Sequence, residues 1–262
     1  MTQPAADSSV QKWPDSIWLV RHGQSAGNVA RDQAESAAEH WIDIAERDMD
    51  VPLSALGRQQ AAALGSWFRS LPTHERPDAF LSSPYLRSLE TMQLVLATAA
   101  YATDVRVIHD ERLREKEFGI LDRMTTFGIK AQYPQLSEQR QHVGKFYFRP
   151  PGGESWCDVI LRLRSVLDTL TRDYRQRRVL IIGHQVIVNC FRYLLERMTE
   201  ADILELDRKA DVPNCGVTQY VFDTSAGARG KLVLKLANFV APLVETGTPV
   251  TTAPDIPAAP KS

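Results

Sequence analysis

Two short stretches of the sequence share one pattern, and this pattern limits the folds that the chain can adopt. Residues 17–28 (IWLVRHGQSAGN) and 179–190 (VLIIGHQVIVNC) each open with four apolar residues, and a histidine stands two positions after each run. Runs of this length and composition are typical of buried strands. Because the carboxyl ends of parallel strands lie along one edge of a sheet, the pattern predicts that His22 and His184 face each other there.

The rest of the chain alternates between further apolar runs and longer helical patterns. Strands are predicted at 17–20, 79–82, 105–108, 179–182, 218–222 and 232–236. Helices are predicted at about 54–70, 84–100, 155–174, 185–197 and 200–206. This alternation predicts an α/β fold, a three-layer sandwich in which helices cover both faces of a mostly parallel central sheet.

The chain of 262 residues is long enough for one large domain, and no stretch in its middle has the composition of a linker. A single domain is therefore predicted over residues 16–245. Residues 29–50 and 116–153 interrupt the alternation and are predicted to be insertions over the carboxyl edge of the sheet, where α/β proteins bind ligands. Residues 1–15 and 246–262 are rich in Pro, Ala, Thr and Ser, and they are predicted to be mobile.

Composition argues against several classes of protein. The formal net charge of −1 disfavours a general binder of nucleic acid or of membrane surfaces. The amino terminus lacks the features of a signal peptide, and the apolar stretch around His184 is too short and too polar to span a bilayer. The three cysteines are odd in number and show no C-x-x-C spacing, which favours free thiols in a reducing compartment. The sequence thus predicts a soluble, cytoplasmic protein with no nucleic-acid or membrane partner.

Local signals mark the starts of three helices. Ser54, Ser83 and Ser155 are predicted N-caps, because a serine hydroxyl can accept a hydrogen bond from the first turn of a helix. Pro84 directly follows Ser83 and suits the first helical position, where a missing N–H costs nothing. None of these serines lies in a G-x-S-x-G frame, so capping is the predicted role and nucleophilic catalysis is not.

The residues at the predicted edge of the sheet form a set suited to phosphoryl transfer. Helix N-termini beside the two histidines offer backbone N–H groups, and Arg21 and Arg87 offer planar forks for phosphate oxygens. The acid-rich segment 111–119 (ERLREKEFG) provides candidate carboxylates. One imidazole can attack phosphorus, the cations can neutralise the equatorial oxygens, and an acid can protonate the leaving group. His22 is the predicted nucleophile.

With these residues in view, the chain resembles the histidine phosphatase superfamily, the phosphoglycerate mutase-like proteins. The resemblance depends on motifs whose order and spacing are specific as a set: RHGQSAGN (21–28), PLSALGRQQA (52–61), SSPYLRSLETM (82–92), RLREKEFG (112–119), PGGES (151–155) and GH (183–184). It implies a phosphoglycerate mutase-like fold. It also implies a phosphatase that acts on a small phosphomonoester through a phosphohistidine, with neither metal nor cofactor.

The resemblance also assigns roles to individual residues. The catalytic residues are the phosphorylated His22, the second histidine His184 and the proton donor Glu115. The residues that bind the substrate phosphate are Arg21, Asn28 and Arg87. Two assignments have alternatives, because Asn28 also suits a helix cap and the acids around Glu115 also suit solvated surface charge.

Departures from the family pattern leave other functions open. The segment REKEFG lacks the Glu-Arg-His-Tyr pattern of cofactor-dependent phosphoglycerate mutases, which favours a phosphatase over a mutase. Gln24 and Gln185 replace a common glutamate and a common glycine without removing a catalytic group. A two-histidine, one-carboxylate metal enzyme is disfavoured by the two arginines, which would repel a divalent cation. A non-catalytic module that binds a phosphorylated ligand has no need of the acid.

Overall fold

The structure is a computed structural model that describes residues 11–252. Within these residues the chain forms a six-stranded sheet with the order β3-β2-β4-β1-β5-β6. The strands are β1 Ser16–Arg21, β2 Ala79–Ser82, β3 Val107–His109, β4 Arg178–Gly183, β5 Val217–Asp223 and β6 Lys231–Phe239. Strands β3, β2, β4 and β1 pair in parallel, whereas β5 and β6 are antiparallel. The predicted mostly parallel sheet is confirmed.

Helices cover both faces of this sheet. They are α1 Ala26–Ser36, α2 Ala55–Ser70, α3 Leu86–Thr98, α4 Thr126–Gln132, α5 Pro134–Val143, α6 Trp156–Asp173, α7 Gln185–Glu196, α8 Glu200–Lys209 and α9 Ala241–Glu245. Successive residues of a strand point to opposite faces. Accordingly, Ile17 and Leu19 of β1 join the core formed with α6, α7 and α8, while Trp18 and Val20 join the core formed with α2 and α3. The predicted three-layer sandwich is therefore confirmed.

The two predicted insertions pack against each other. The Ile42 N–H donates to the Arg123 carbonyl (2.8 Å), and the Thr125 N–H donates to the His40 carbonyl (3.2 Å). The second insertion also has a small core of its own, formed by Leu121, Met124, Ile129, Leu136 and Phe148. Helix α1 continues through Ser36 and so occupies the first part of the predicted insertion 29–50. The two segments are therefore joined to each other by backbone hydrogen bonds.

Two of the three predicted helix caps are confirmed. The Ser54 hydroxyl accepts from the Gly57 N–H (3.0 Å), and the Ser155 hydroxyl accepts from the Asp158 N–H (3.2 Å). The prediction for Ser83 is wrong, because α3 begins at Leu86 and its N-cap position is Tyr85.

Near both ends of the described part of the chain, residues beyond the predicted range 16–245 contact the sheet and its loops. Trp13 packs on the core of the sheet, and the Asp15 N–H donates to the Arg177 carbonyl (2.9 Å). At the other end, the Thr251 carbonyl accepts from the Asn214 N–H (2.9 Å). The outer parts of the predicted mobile segments, residues 1–10 and 253–262, lie outside the described residues.

The described part of the chain has no helix that is both long and apolar enough to cross a membrane. All three cysteines are free thiols, with Cys190 and Cys215 buried and Cys157 half-buried. Burial raises the pKa of the Cys190 thiol well above its ordinary value. The predicted free thiols are confirmed.

Candidate active site

The two strand-end histidines lie side by side at the carboxyl edge of the sheet. Strands β1 and β4 are neighbours and end at Arg21 and Gly183, which are paired. The residues that follow these two ends are His22 and His184. The centroids of the His22 and His184 rings are 5.2 Å apart, the ring planes are inclined by 67°, and both side chains are fully buried. The sequence pattern predicts this proximity, and the structure has it.

The surroundings of His22 fix the protonation of its ring. Nδ1 lies 2.7 Å from the Gly23 carbonyl oxygen, which can only accept, so Nδ1 carries the proton. The other nitrogen, Nε2, accepts a hydrogen bond from Nε of Arg87 (3.2 Å). The lone pair of Nε2 therefore faces the guanidinium of Arg87.

The backbone around His22 is held from several sides. The Gly23 N–H donates to the Thr91 hydroxyl (3.1 Å), and Nδ2 of Asn214 donates to the His22 carbonyl (3.0 Å). Gly23 also crosses α2 so closely that an added Cβ would lie 2.5 Å from the Gly57 carbonyl oxygen. These contacts explain why a glycine must follow the histidine here. Gly57 and Thr91 lie in motifs of the family resemblance but receive no role from the sequence, and Asn214 lies outside those motifs.

His184 is oriented by residues that follow β2. Its Nε2 is hydrogen bonded to the Ser83 hydroxyl (2.8 Å), and the Tyr85 ring packs edge-on with centroids 5.2 Å apart. The Ser83 hydroxyl also accepts from the Tyr85 N–H (3.3 Å). Ser83 therefore positions the second histidine and does not begin a helix.

Among the acids of segment 111–119, Glu115 lies nearest to the histidines. Its carboxylate is fully buried, Oε1 accepts from the Lys116 N–H (2.8 Å), and Oε2 lies 4.0 Å from Nδ1 of His184. By contrast, Asp110, just before this segment, is paired with Arg112, and Glu117 is half-buried and accepts from the Tyr85 hydroxyl (3.1 Å). The geometry therefore supports Glu115 as the acid of the site.

The two predicted phosphate-binding arginines are both buried. Arg21 ends β1, and its Nη1 donates to the Val212 carbonyl (2.7 Å). Arg87 lies in the first turns of α3, with its Cζ 5.0 Å from the centre of the Tyr85 ring. Nη1 of Arg87 also donates to Asp48, on the carboxylate (2.9 Å) and on the backbone carbonyl (2.6 Å).

Asn28 takes part in a helix cap. Its Oδ1 accepts from the backbone N–H of Ser25 (2.9 Å) while the Ser25 hydroxyl accepts from the Asn28 N–H (3.1 Å), which forms a reciprocal capping box at the start of α1. The alternative role for Asn28 as a capping residue is therefore present. Phosphate binding by its amide stays a prediction.

A half-buried ion pair supports the loop that carries Glu115. Nε of Arg162 on α6 donates to Oε1 of Glu154 (3.0 Å), and Nη2 of Arg162 donates to the Glu115 carbonyl (3.2 Å). Oε2 of Glu154 accepts from the Glu117 N–H (3.1 Å). Burial alone would raise the pKa of Glu154, but the hydrogen bond and charge of Arg162 outweigh it, and this pKa lies below its ordinary value.

Lys116 places a buried cation next to Glu115. Its side chain is 8% exposed, and Nζ lies 4.3 Å from the centre of the Phe118 ring. Burial lowers the pKa of Lys116 to about 8, although the nearby Glu115 carboxylate acts in the opposite direction. Within residues 11–252, no group of three or more His, Cys, Asp or Glu side chains is arranged to hold a metal ion.

Fold and site together define an α/β protein with paired histidines and a cationic pocket at the carboxyl edge of its sheet. The chain belongs to the histidine phosphatase superfamily, branch 1, whose family model matches residues 17–232. The resemblance drawn from the motifs is thereby confirmed.

Curated relatives include both mutase-like proteins and phosphatases. The phosphoglycerate mutase-like protein AT74H of Arabidopsis thaliana is 28% identical over 77% of this chain and 72% of its own length. The 6-phosphofructo-2-kinase/fructose-2,6-bisphosphatase of Gallus gallus is 31% identical over 71% of this chain. The matched region makes up only 34% of the length of that relative. The 2,3-bisphosphoglycerate-dependent phosphoglycerate mutase 2 of Gloeobacter violaceus is 29% identical over 74% of this chain and 82% of its own.

Solved structures share the fold. The mycobacterial glucosyl-3-phosphoglycerate phosphatase in complex with inorganic phosphate superimposes with a TM-score of 0.64 at 22% identity, over 87% of this chain and 99% of its own. The alpha-ribazole phosphatase of Shigella flexneri gives a TM-score of 0.66 at 18% identity, over 86% of this chain and 98% of its own.

Proposed function

We propose that this protein is a metal-independent phosphatase that hydrolyses a small phosphomonoester through a phosphohistidine on His22. The proposal depends above all on Nε2 of His22, which is unprotonated and lies 3.2 Å from Nε of Arg87 while Nδ1 is fixed by a backbone carbonyl. A neutral imidazole held beside a guanidinium combines a nucleophile with a binding site for the group that it attacks.

The reaction runs in two displacements at phosphorus. The substrate phosphate binds between Arg21, Arg87 and the amide of Asn28, and Nε2 of His22 attacks. The N–P bond forms as the bond to the leaving oxygen breaks, and Glu115 gives its proton to that oxygen. Glu115 then takes a proton from water, whose oxygen attacks phosphorus and breaks the N–P bond. Inorganic phosphate leaves with His22 restored, and His184 neutralises charge on the phosphoryl oxygens in both steps.

The comparisons support a phosphatase in general terms. Related proteins carry the names of phosphatases, bisphosphatases or mutases, and each of those names refers to a small phosphorylated molecule. A mutase is the second candidate, because the Gloeobacter violaceus mutase is 29% identical over 82% of its length. Product analysis with 3-phosphoglycerate, in the presence and absence of 2,3-bisphosphoglycerate, distinguishes transfer to a second hydroxyl from transfer to water.

The test of the proposal is turnover of p-nitrophenyl phosphate in EDTA by the native protein, His22→Ala and His74→Ala. We expect His22→Ala to abolish turnover, and we expect the exposed His74, which only faces Glu75, to be replaceable without loss. Loss of all activity in EDTA would favour the metal enzyme. Binding of phosphate with no hydrolysis between about pH 4 and 8 would favour the non-catalytic module.

A further inference from the structure

One acidic side chain of the first insertion reaches into the pocket. Asp48 lies in a short 3₁₀ turn, Asp48–Asp50, between α1 and α2. Its Oδ1 accepts from Nη1 of Arg87 (2.9 Å), and its Oδ2 lies 3.4 Å from Nη2 of the same guanidinium. The carboxylate therefore spans both terminal nitrogens of Arg87.

This contact involves the same arginine that touches the nucleophile. Nε of Arg87 donates to Nε2 of His22, and the two terminal nitrogens meet Asp48. The terminal edge of a guanidinium is the fork that matches two oxygens of a carboxylate or of a phosphate equally well. Asp48 thus presents to Arg87 the same pair of anionic oxygens that a substrate phosphoryl group would present.

The turn that carries Asp48 lies near the protein surface. None of residues 48–50 is buried, and the Asp48 side chain is 24% exposed whereas that of Arg87 is 3% exposed. The neighbouring Asp50 is paired with Arg47 at the surface (2.6 Å). Movement of the Asp48 carboxylate into solvent would disturb no residue of the main core.

We propose that the Asp48 carboxylate competes with the phosphoryl group for Arg87 and so sets how tightly the site holds a phosphate. This inference rests on the proposed function, since it concerns the same phosphate pocket. A ligand must displace Asp48 to engage the fork of Arg87, so a phosphomonoester that gains further contacts in the pocket binds, while free inorganic phosphate is held weakly and leaves readily after hydrolysis.

The test measures binding of inorganic phosphate by calorimetry to the native protein, Asp48→Asn and Asp50→Asn. Asparagine at position 48 keeps the backbone carbonyl contact to Arg87 and removes the competing charge. We expect the Kd for phosphate to fall about tenfold in Asp48→Asn, as expected when one charged contact no longer opposes binding, and to stay unchanged in Asp50→Asn. The KM for p-nitrophenyl phosphate should fall in the same proportion.

Unchanged or weaker phosphate binding in Asp48→Asn would overturn the inference, because it would mean that the carboxylate only positions Arg87. Asp48→Ser removes the charge with a shorter side chain and must change the Kd in the same direction. The two proposals fail separately. If Asp48→Asn binds phosphate more tightly but the native protein hydrolyses no ester, the role of Asp48 is supported and the phosphatase proposal is contradicted. If the native protein hydrolyses an ester but Asp48→Asn binds phosphate no more tightly, the phosphatase proposal is supported and the inference about Asp48 is contradicted.

Discussion

The protonation of His22 follows from a single backbone contact. A carbonyl oxygen 2.7 Å from Nδ1 accepts only, so the lone pair is left on the nitrogen that faces Arg87. The sequence predicts the histidine and its place at a strand end. It does not predict this tautomer, because the orientation of the Gly23 carbonyl depends on the close crossing with Gly57 on α2.

Replacement of Glu115 tests its role as the proton donor. Glu115→Gln keeps the side-chain shape but has no proton to give, so substrates with poor leaving groups should suffer most. We expect kcat to fall about 100-fold or more for an alkyl phosphate and far less for p-nitrophenyl phosphate, whose leaving group needs no protonation. Glu117→Gln is the matched control, and it should affect both substrates alike. Equal losses for both substrates in Glu115→Gln would exclude Glu115 as the acid.

The buried Lys116 is expected to reduce stability at neutral pH. Its pKa is lowered by burial from 10.5 to about 8, so the unfolded chain binds more protons between these values and native stability rises with pH there. Below about pH 8 Lys116 is charged in the folded protein, and its burial lowers the free energy of unfolding by the full amount. Lys116→Met should therefore raise the free energy of unfolding at pH 7 by on the order of 3 kcal/mol.

The gain in free energy of unfolding of Lys116→Met over the native protein should shrink as the pH rises from about 8 toward 10.5. Urea unfolding of both proteins at several pH values measures this gain. Lys209→Met, at an exposed position, is the control and should show no such trend. A pH-independent difference between Lys116→Met and the native protein would contradict the expectation.

At the scale of elements, the loop of Glu115 depends on α6. Glu154 and Arg162 hold the backbone at Glu115 and Glu117 through half-buried, charged hydrogen bonds. Glu154→Gln weakens this support and should displace the Glu115 carboxylate. We expect kcat for an alkyl phosphate to fall about tenfold, with a smaller loss for p-nitrophenyl phosphate.

The leaving-group dependence separates this positioning role from general damage. Asp173→Asn, at the exposed end of α6, serves as the control because Asp173 pairs only with its neighbour Arg172. If Glu154→Gln slows both esters by the same factor, Glu154 stabilises the fold without positioning the acid.

The sequence predicts the elements that carry strong local signals. The strand predicted at 79–82 coincides with β2, and the helix predicted at 155–174 lies within one residue of α6 at each end. Strand β3 is shifted toward His109, because as an edge strand its extent is set by pairing with β2 alone. For helix α1 the sequence predicts a start beside His22 but not its extent, because it lacks an apolar stripe and its capping box uses asparagine where glutamate or glutamine is usual.

At the scale of the whole molecule, the predictable part of the site is the part that topology brings together. His22 and His184 each follow a parallel strand, and because these two strands are neighbours the two rings lie 5.2 Å apart. Ser83, Asp48 and Asn214 reach the same place from distant parts of the chain through side-chain contacts that leave no periodic pattern. Helices α4 and α5 were missed for a related reason, since a small core of the second insertion stabilises them.

The C-terminal segment is joined to the loop of His22 through Gln60. Oε1 of Gln60 accepts from the Gln24 N–H (2.8 Å), and Nε2 donates to the Pro249 carbonyl and to the Thr251 hydroxyl (both 2.9 Å). Gln60→Leu would remove all three hydrogen bonds. We expect the free energy of unfolding to fall by about 2–3 kcal/mol and kcat to fall with it.

Gln59→Leu offers a matched control, because Gln59 is the exposed neighbour on the same helix. Urea unfolding measured for both variants gives the comparison. Equal stability of Gln60→Leu and Gln59→Leu would show that the segment around Thr251 contributes nothing to the loop.

The most direct measurement concerns the nitrogen of His22 that carries the phosphoryl group. Rapid quenching at alkaline pH during turnover, followed by ³¹P NMR and peptide mapping, identifies the phosphorylated atom. We expect a phosphoramidate on Nε2 of His22 that is labile in acid and absent from His22→Ala. Phosphate on Nδ1, on another residue, or on no residue during sustained turnover would contradict nucleophilic catalysis by Nε2.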